Sequence, residues 1–186
     1  LAMYKAKSEG KGRVLSFDRT LGSDFRRRAE LELELREAID GRQLTLLYQP
    51  QVSCRDGGVV GVEALIRWEH PVRGTISPVE FIPIAEEAGL ITAIGTWVLE
   101  DALARLASWR GTALAGLRMS VNIAAPQFLL DNFVDQVLAA LARHSVHPEQ
   151  LELEVTESVV MQELDAVVAR LDRLRSAGVR VAIDDF

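Results

Sequence analysis

Leu151-Glu152-Leu153-Glu154-Val155 alternates apolar and acidic residues without a break. That period of two belongs to an extended strand with unlike faces, the two glutamates on one side and the leucines on the other. Around it, Phe133 to His144 reads as a helix, Glu163 to Ser176 as another, and Val179 to Ile183 as a further strand. Strand then helix then strand is the order of parallel crossovers, which predicts an α/β protein and leaves little room for an antiparallel sandwich. Outer strand faces of an α/β barrel meet apolar helices, so the glutamate side is expected to point inward, with Glu154 nearer the rim.

Working outward, the pattern repeats. A helix is expected from Asp24, its cap, to Asp40, with Leu31, Leu35, Ala38 and Ile39 as its apolar stripe and Gly41 as its stop. Glu32, Glu34 and Glu37 are expected to face water. Leu44 to Tyr48 reads as a strand whose extension Pro50 restricts. Gln51 to Ser53 and Val59 to Val62 flank Cys54-Arg55-Asp56-Gly57-Gly58, a hairpin turn, and the second arm continues towards Pro71. Ser77, Pro78 and Glu80 match a capping box with proline in the first turn, opening a helix to about Ala88 that Gly89 terminates. Leu90 to Trp109 carries Ile94, Val98, Leu99, Leu103 and Leu106 at helical spacing, with Gly95 as a point of weakness. Leu117 to Val121 is the next strand, and Pro126 to Leu130 a helical turn. Leu164, Val167, Val168, Leu171 and Leu174 form the apolar side of the last helix. Residues 1–18 read as the end of an upstream domain, because so short a helix, turn and strand cannot build a core of their own.

The strand ends are where the polar chemistry collects. Glu63 closes Val59 to Val62, Asn122 closes Met119 to Val121, Glu154 lies near the end of its strand, and Asp184 and Asp185 close Val179 to Ile183. Oxygen ligands at the C-terminal ends of parallel strands suit Mg2+ or Mn2+. The adjacent aspartates suit two ions, the arrangement that supports phosphodiester hydrolysis. Each residue also has a plainer reading: Glu63 paired with Arg67, Asn122 capping the next helix, Glu157 accepting backbone N–H groups, and the two aspartates in a surface turn. Trp68 and Trp97 are read as packing residues.

Bulk properties narrow the field. The 186 residues suffice for one core but fall short of the roughly 250 typical of a complete eight-stranded barrel. The lone cysteine, Cys54, allows no internal disulfide and no zinc cluster, which suits a reducing cytoplasm. His70, His144 and His147 lack metal-ligand spacing and are expected to be structural or solvent-facing. A net charge of -6 argues against DNA or RNA as a partner, while leaving a small phosphorylated substrate open. No apolar run reaches the length of a membrane span, so no direct membrane insertion is expected of this segment.

Five motifs in order carry a resemblance. Tyr48-Gln49-Pro50, Glu63-Ala64-Leu65-Ile66-Arg67-Trp68, Ser120-Val121-Asn122-Ile123-Ala124, Leu153-Glu154-Val155-Thr156-Glu157-Ser158 and Ile183-Asp184-Asp185-Phe186 resemble the EAL domain of bacterial cyclic di-GMP phosphodiesterases. Residues 1–18, with Ala2-Met3-Tyr4-Lys5-Ala6-Lys7, look like the tail of a GGDEF, diguanylate cyclase-like domain. The division implied is a GGDEF remnant over 1–18, a linker and the start of a connecting helix over 19–29, and the N-terminal part of an EAL domain over 30–186. The fold implied is a TIM-like (β/α) barrel truncated after the strand ending in Asp184-Asp185. The family barrel continues beyond these aspartates with a mobile loop, a lysine, a further metal-binding glutamate and a glutamine.

By this resemblance Glu63, Asn122, Glu154, Asp184 and Asp185 would hold the metal ions, Mg2+ or Mn2+ and two in number. Glu63, Asp184 and Asp185 would be catalytic, Gln49 and Arg67 would contact the dinucleotide, and Glu157 would fix the loop beyond the aspartates. The activity implied, for the parent domain, is hydrolysis of cyclic di-GMP to linear 5'-pGpG. A homodimer formed through the EAL domain is implied, as is a cytoplasmic setting, tethered to the inner membrane if an upstream region provides it. The alternatives are a cyclic di-GMP receptor without turnover and a regulatory dimerisation module.

Overall fold

The computed structural model describes residues 19–156 and 164–184. Helix α1 (Arg19–Asp40) is already running at Arg19, so Asp24 lies inside the helix and not at its cap. Leu31, Leu35 and Ala38 are buried on one side of it, the stripe that their spacing predicts. The backbone N–H of Gly41 donates to the Glu37 carbonyl at 2.8 Å, and a Cβ at Gly41 would stand 2.8 Å from the same oxygen. The glutamates of α1 do more than face water. Glu32 pairs with Arg36 one turn on, and Glu34 reaches across to His70 and Arg73.

Strand β1 (Leu44–Val52) pairs antiparallel with β2 (Val59–His70), and β3 (Gly74–Ile76) adds to the far end of β2. The hairpin turn closes where its glycines predict: Gly57 has φ +72°, and the Ser53 N–H donates to the Gly58 carbonyl. Pro50 does not stop β1. It pairs in register with Val62, tolerated because β1 lies at the end of the strand order, where one backbone edge needs no N–H donor.

Helices α2 (Pro78–Glu87) and α3 (Ile91–Ser108) follow, then β4 (Arg118–Ile123), α4 (Ala125–Phe128), α5 (Phe133–His144), a 3-10 turn (Pro148–Gln150), β5 (Leu151–Thr156), α6 (Leu164–Ser176) and β6 (Arg180–Asp184). The strands join as β1-β2-β4-β5-β6, with β2, β4, β5 and β6 mutually parallel. This is an α/β fold on a mixed sheet. Val62, Ala64, Met119, Val121, Leu151, Leu153 and Val155 are buried on one sheet face and belong to a single core with Phe81, Leu99, Leu103, Phe128, Val137 and Leu174 of the helices. Among the described residues, no helix is long and apolar enough to cross a membrane.

The expectations for the capping box, Gly95 and Val168 are corrected, and those for the tryptophans and histidines hold. Ser77 is the N-cap of α2 and Pro78 its first residue, but the Ser77 side chain makes no capping bond; the Glu80 carboxylate accepts from Arg27 of α1 instead. Gly95 does not break α3. It is buried, and a Cβ there would come within 2.0 Å of Gln127 Oε1, so glycine at this position lets α4 approach α3. Val168 is exposed rather than part of the apolar side of α6. Trp68 is fully buried, its indole N–H donating to Gln43, and Trp97 packs against the core. His70 Nδ1 accepts from the backbone N–H groups of Val72 and Arg73, His144 binds Glu100, and His147 is exposed. The expectations for residues 1–18 lie outside the described residues.

Candidate functional site

Side chains alternate along a strand, so the pairing register decides which residues share a face. Gln49 is the Cα partner of Glu63, Glu63 of Ser120, Asn122 of Glu154, and Thr156 of Asp184. Thr45 is likewise the partner of Arg67. Following this parity across five strands puts the positions of Gln49, Glu63, Arg67, Asn122, Glu154 and Asp184 on one sheet face. The opposite face carries Tyr48, Val62, Ala64, Met119, Val121, Leu153 and Val155 and meets the helices. The polar face is thus the one that the alternation in Leu151 to Val155 predicts.

One positional expectation changes. Glu63 does not close its strand; β2 runs seven residues further because its second half pairs with β1 and β3. Glu63 lies near the end of the shorter parallel segment, Gly61 to Ala64, that faces β4. Asn122 and Glu154 do lie near their strand ends.

Glu63 and Asn122 are in contact: Asn122 Nδ2 donates to Glu63 Oε1 at 2.8 Å. The plainer alternatives for both therefore fail among the described residues. Arg67 donates to the Ile66 carbonyl at 2.7 Å rather than to Glu63, and the N-cap of α4 is Ala124. Gln49 is exposed, and Glu154 is half-buried. Asp185 and Glu157 lie outside the described residues, as does the Asp184 side chain. No group of three His, Cys, Asp or Glu side chains close enough to hold a metal ion occurs among the described residues.

Beneath this row lies a second, whose Glu152 the alternation of β5 already places on the polar face but whose hydrogen bonds the sequence does not announce. Gln51 Nε2 donates to Ser120 Oγ at 3.1 Å, and the Ser120 hydroxyl donates to Glu152 Oε1 at 3.0 Å. Ser120 is fully buried. Gly61 makes room for the arrangement, since a Cβ there would stand 2.9 Å from Gln51 Oε1 and 3.1 Å from the Arg118 carbonyl. The spacing of Gln49 and Gln51, two apart on one strand, is the signal that places both on the polar face.

An α/β domain with carboxylate and amide oxygens gathered on one sheet face is the class that fold and site define. The EAL domain family model matches residues 32–186, and the chain belongs to that family. The chain is 43% identical over 185 residues to the bifunctional diguanylate cyclase/cyclic di-GMP phosphodiesterase MucR of Pseudomonas aeruginosa, all of the chain aligning with 27% of that protein. It is 41% identical to an uncharacterized signaling protein of Caulobacter vibrioides, covering 22% of it, so it spans about a quarter of the length of these relatives. Among solved structures it resembles the PaMucR phosphodiesterase in complex with c-di-GMP, with TM-score 0.81 and 46% identity over 84% of this chain and 64% of that one.

Proposed function

We propose that this chain forms part of an EAL phosphodiesterase domain that hydrolyses cyclic di-GMP to linear 5'-pGpG with divalent metal ions. The supporting observation is the shared sheet face, on which Glu63 and Asn122 touch and Glu154 is the register partner of Asn122. The ligand-bound PaMucR phosphodiesterase, similar in fold and identical at 46% of aligned residues, supports the substrate.

The donor set fits a hard cation. Glu63 and Glu154 offer carboxylate oxygens, and Asn122 carries an amide oxygen on the group that now donates its N–H to Glu63. Glu63, Asn122, Glu154 and Asp184 would hold the first Mg2+ or Mn2+, with Asp185 serving a second. Such ions, when bound, lower the pKa of a coordinated water and offset charge on the phosphodiester oxygens. Glu63, Asp184 and Asp185 are the catalytic carboxylates of this reading, with Asp185 orienting the attacking water. Arg67, on the same face, offers a guanidinium to a phosphate oxygen, and Gln49 an amide to the dinucleotide. Glu157 would fix the loop beyond β6. Water adds at one phosphorus, the P–O3' bond breaks, the 3'-oxygen leaves as a hydroxyl carrying a proton from that water, and the ring opens to a 5'-phosphate. The wider reading has the sheet closing as a TIM-like barrel, a homodimer formed through the EAL domain, a GGDEF domain upstream and a cytoplasmic setting.

Glu63→Ala in the full-length gene product tests this. Formation of 5'-pGpG should fall by at least about a hundredfold while the circular dichroism spectrum persists. Unchanged turnover overturns the role of Glu63. Tight, metal-independent cyclic di-GMP binding without product, in the unaltered protein, overturns the enzymatic reading in favour of a receptor.

A further inference from the structure

We infer that Ser120 is a positioning residue for the metal-binding row, the hub of a hydrogen-bonded relay that runs beneath it through Gln51 and Glu152. The inference rests on the metal-site reading above and concerns residues that would not touch the ions. Ser120 is the register partner of Glu63 on β2 and of Glu152 on β5, so its rung adjoins both strands that carry candidate carboxylates. Two residues on, Asn122 is the partner of Glu154. Ser120 and Glu152 therefore lie level with Glu63 and one side-chain layer beneath Asn122 and Glu154, on the same face.

The relay has a definite direction. Gln51 donates to Ser120, and Ser120 donates to Glu152, so the hydroxyl spends its single proton on a carboxylate and uses an oxygen lone pair for the amide. A buried hydroxyl bonded on both sides holds three strands at fixed mutual height, and the bond to a charged acceptor is the stronger kind. Gly61 belongs to the same device, because a Cβ there would press on the Gln51 amide oxygen at 2.9 Å and crowd the Arg118 carbonyl of β4 at 3.1 Å. What this layer supplies is a fixed height for Asn122 on β4 and Glu154 on β5, two residues further along the same strands, relative to Glu63, the register partner of Ser120. Residues behind a metal site govern its affinity by fixing where the ligands stand, and Ser120 and Glu152 would do so through the backbone, two residues before Asn122 and Glu154 on the same strands.

The test is Mn2+ binding to the full-length gene product, followed by electron paramagnetic resonance, with Glu63→Ala as the reference that identifies the site. Ser120→Ala should raise the Mn2+ Kd by about 10- to 100-fold. It should do so without product formation entering the measurement. Gln51→Leu, which removes the donor at the other end of the relay, should shift the Kd in the same direction and stands in if Ser120→Ala does not fold. A thermal stability loss in either folded variant with an unmoved Kd makes the relay merely structural and overturns the inference. An unaltered protein that lacks an Mn2+ site sensitive to Glu63→Ala overturns both this inference and the functional reading. An unaltered protein that has the site, with an unmoved Kd in the relay variants, overturns the relay alone.

Discussion

Gly95→Ala should destabilise the protein, and should do the reverse once Gln127 is gone. In an isolated helix the change gains about 0.8–1 kcal/mol, since alanine is the better helix former. In α3 the new Cβ would lie 2.0 Å from Gln127 Oε1, 2.6 Å from its Cδ and 3.0 Å from its Nε2. All three atoms belong to one amide, so the whole head group must move, and Gln127 is 1% exposed. Overpacking of this sort costs about 1–3 kcal/mol, which leaves a net loss of about 1 kcal/mol. In a Gln127→Ala background the obstacle is absent and the same substitution should add about 1 kcal/mol, a coupling of about 2 kcal/mol. Urea denaturation read by tryptophan fluorescence suits the measurement, because Trp97 lies two residues along the same helix. A cavity of about 200 Å3 lined by Thr96, Leu99, Gln127 and Phe133 adjoins the contact and offers the amide another place to go. If Gly95→Ala alone is neutral or stabilising, the amide escapes into that space and the close-approach argument fails.

Leu153→Ala, at a fully buried position of β5, should cost about 2–5 kcal/mol in denaturant unfolding, and a loss under 1 kcal/mol would contradict its place in the core. The Glu100 carboxyl feels burial pushing its pKa up, but hydrogen bonds from His144 and Arg143 and their charges outweigh this and hold it below its ordinary value. A carboxylate so depressed contributes stability above the unfolded-state value of about 4.3, and that contribution is lost as pH falls through the folded value. Glu100→Gln should therefore flatten the acid limb of the Tm-versus-pH curve relative to the unaltered protein; an unchanged limb would remove Glu100 from that account.

Patterns carried by neighbouring residues were legible from the sequence. The stripe of Leu31, Leu35 and Ala38 is the one that α1 buries, Phe133 to His144 has the bounds of α5, and the alternation in Leu151 to Val155 foretells the two faces of β5. The family followed from motifs that match in order. What escaped depends on partners distant in the chain. Nothing near Gly95 announces Gln127, and nothing near Glu34 announces His70 or Arg73. Pro50 reads as a strand stop until the strand is known to lie at the end of the sheet order. Glu63 reads both as a strand end and as a point on a hairpin arm running towards Pro71, and the structure bears out the arm, because β2 keeps pairing antiparallel with β1 and then β3. On the candidate site, parity was readable from single strands, whereas the contact of Asn122 with Glu63 and the bonds around Ser120 require the register between strands.

That register also sets how such a chain can change length over evolutionary time. A one-residue insertion or deletion between Arg118 and Asn122 would turn the asparagine towards the helices, and one between Leu151 and Glu154 would do the same to the glutamate. The strands are in this sense indel-proof by penalty rather than by sequence. The exposed loop from Cys54 to Gly58 lies beyond the last paired residues of β1 and β2, so it can lengthen or shorten without moving any residue from one face to the other. Length variation among homologues should accumulate there and be absent from the five strands that share the polar face.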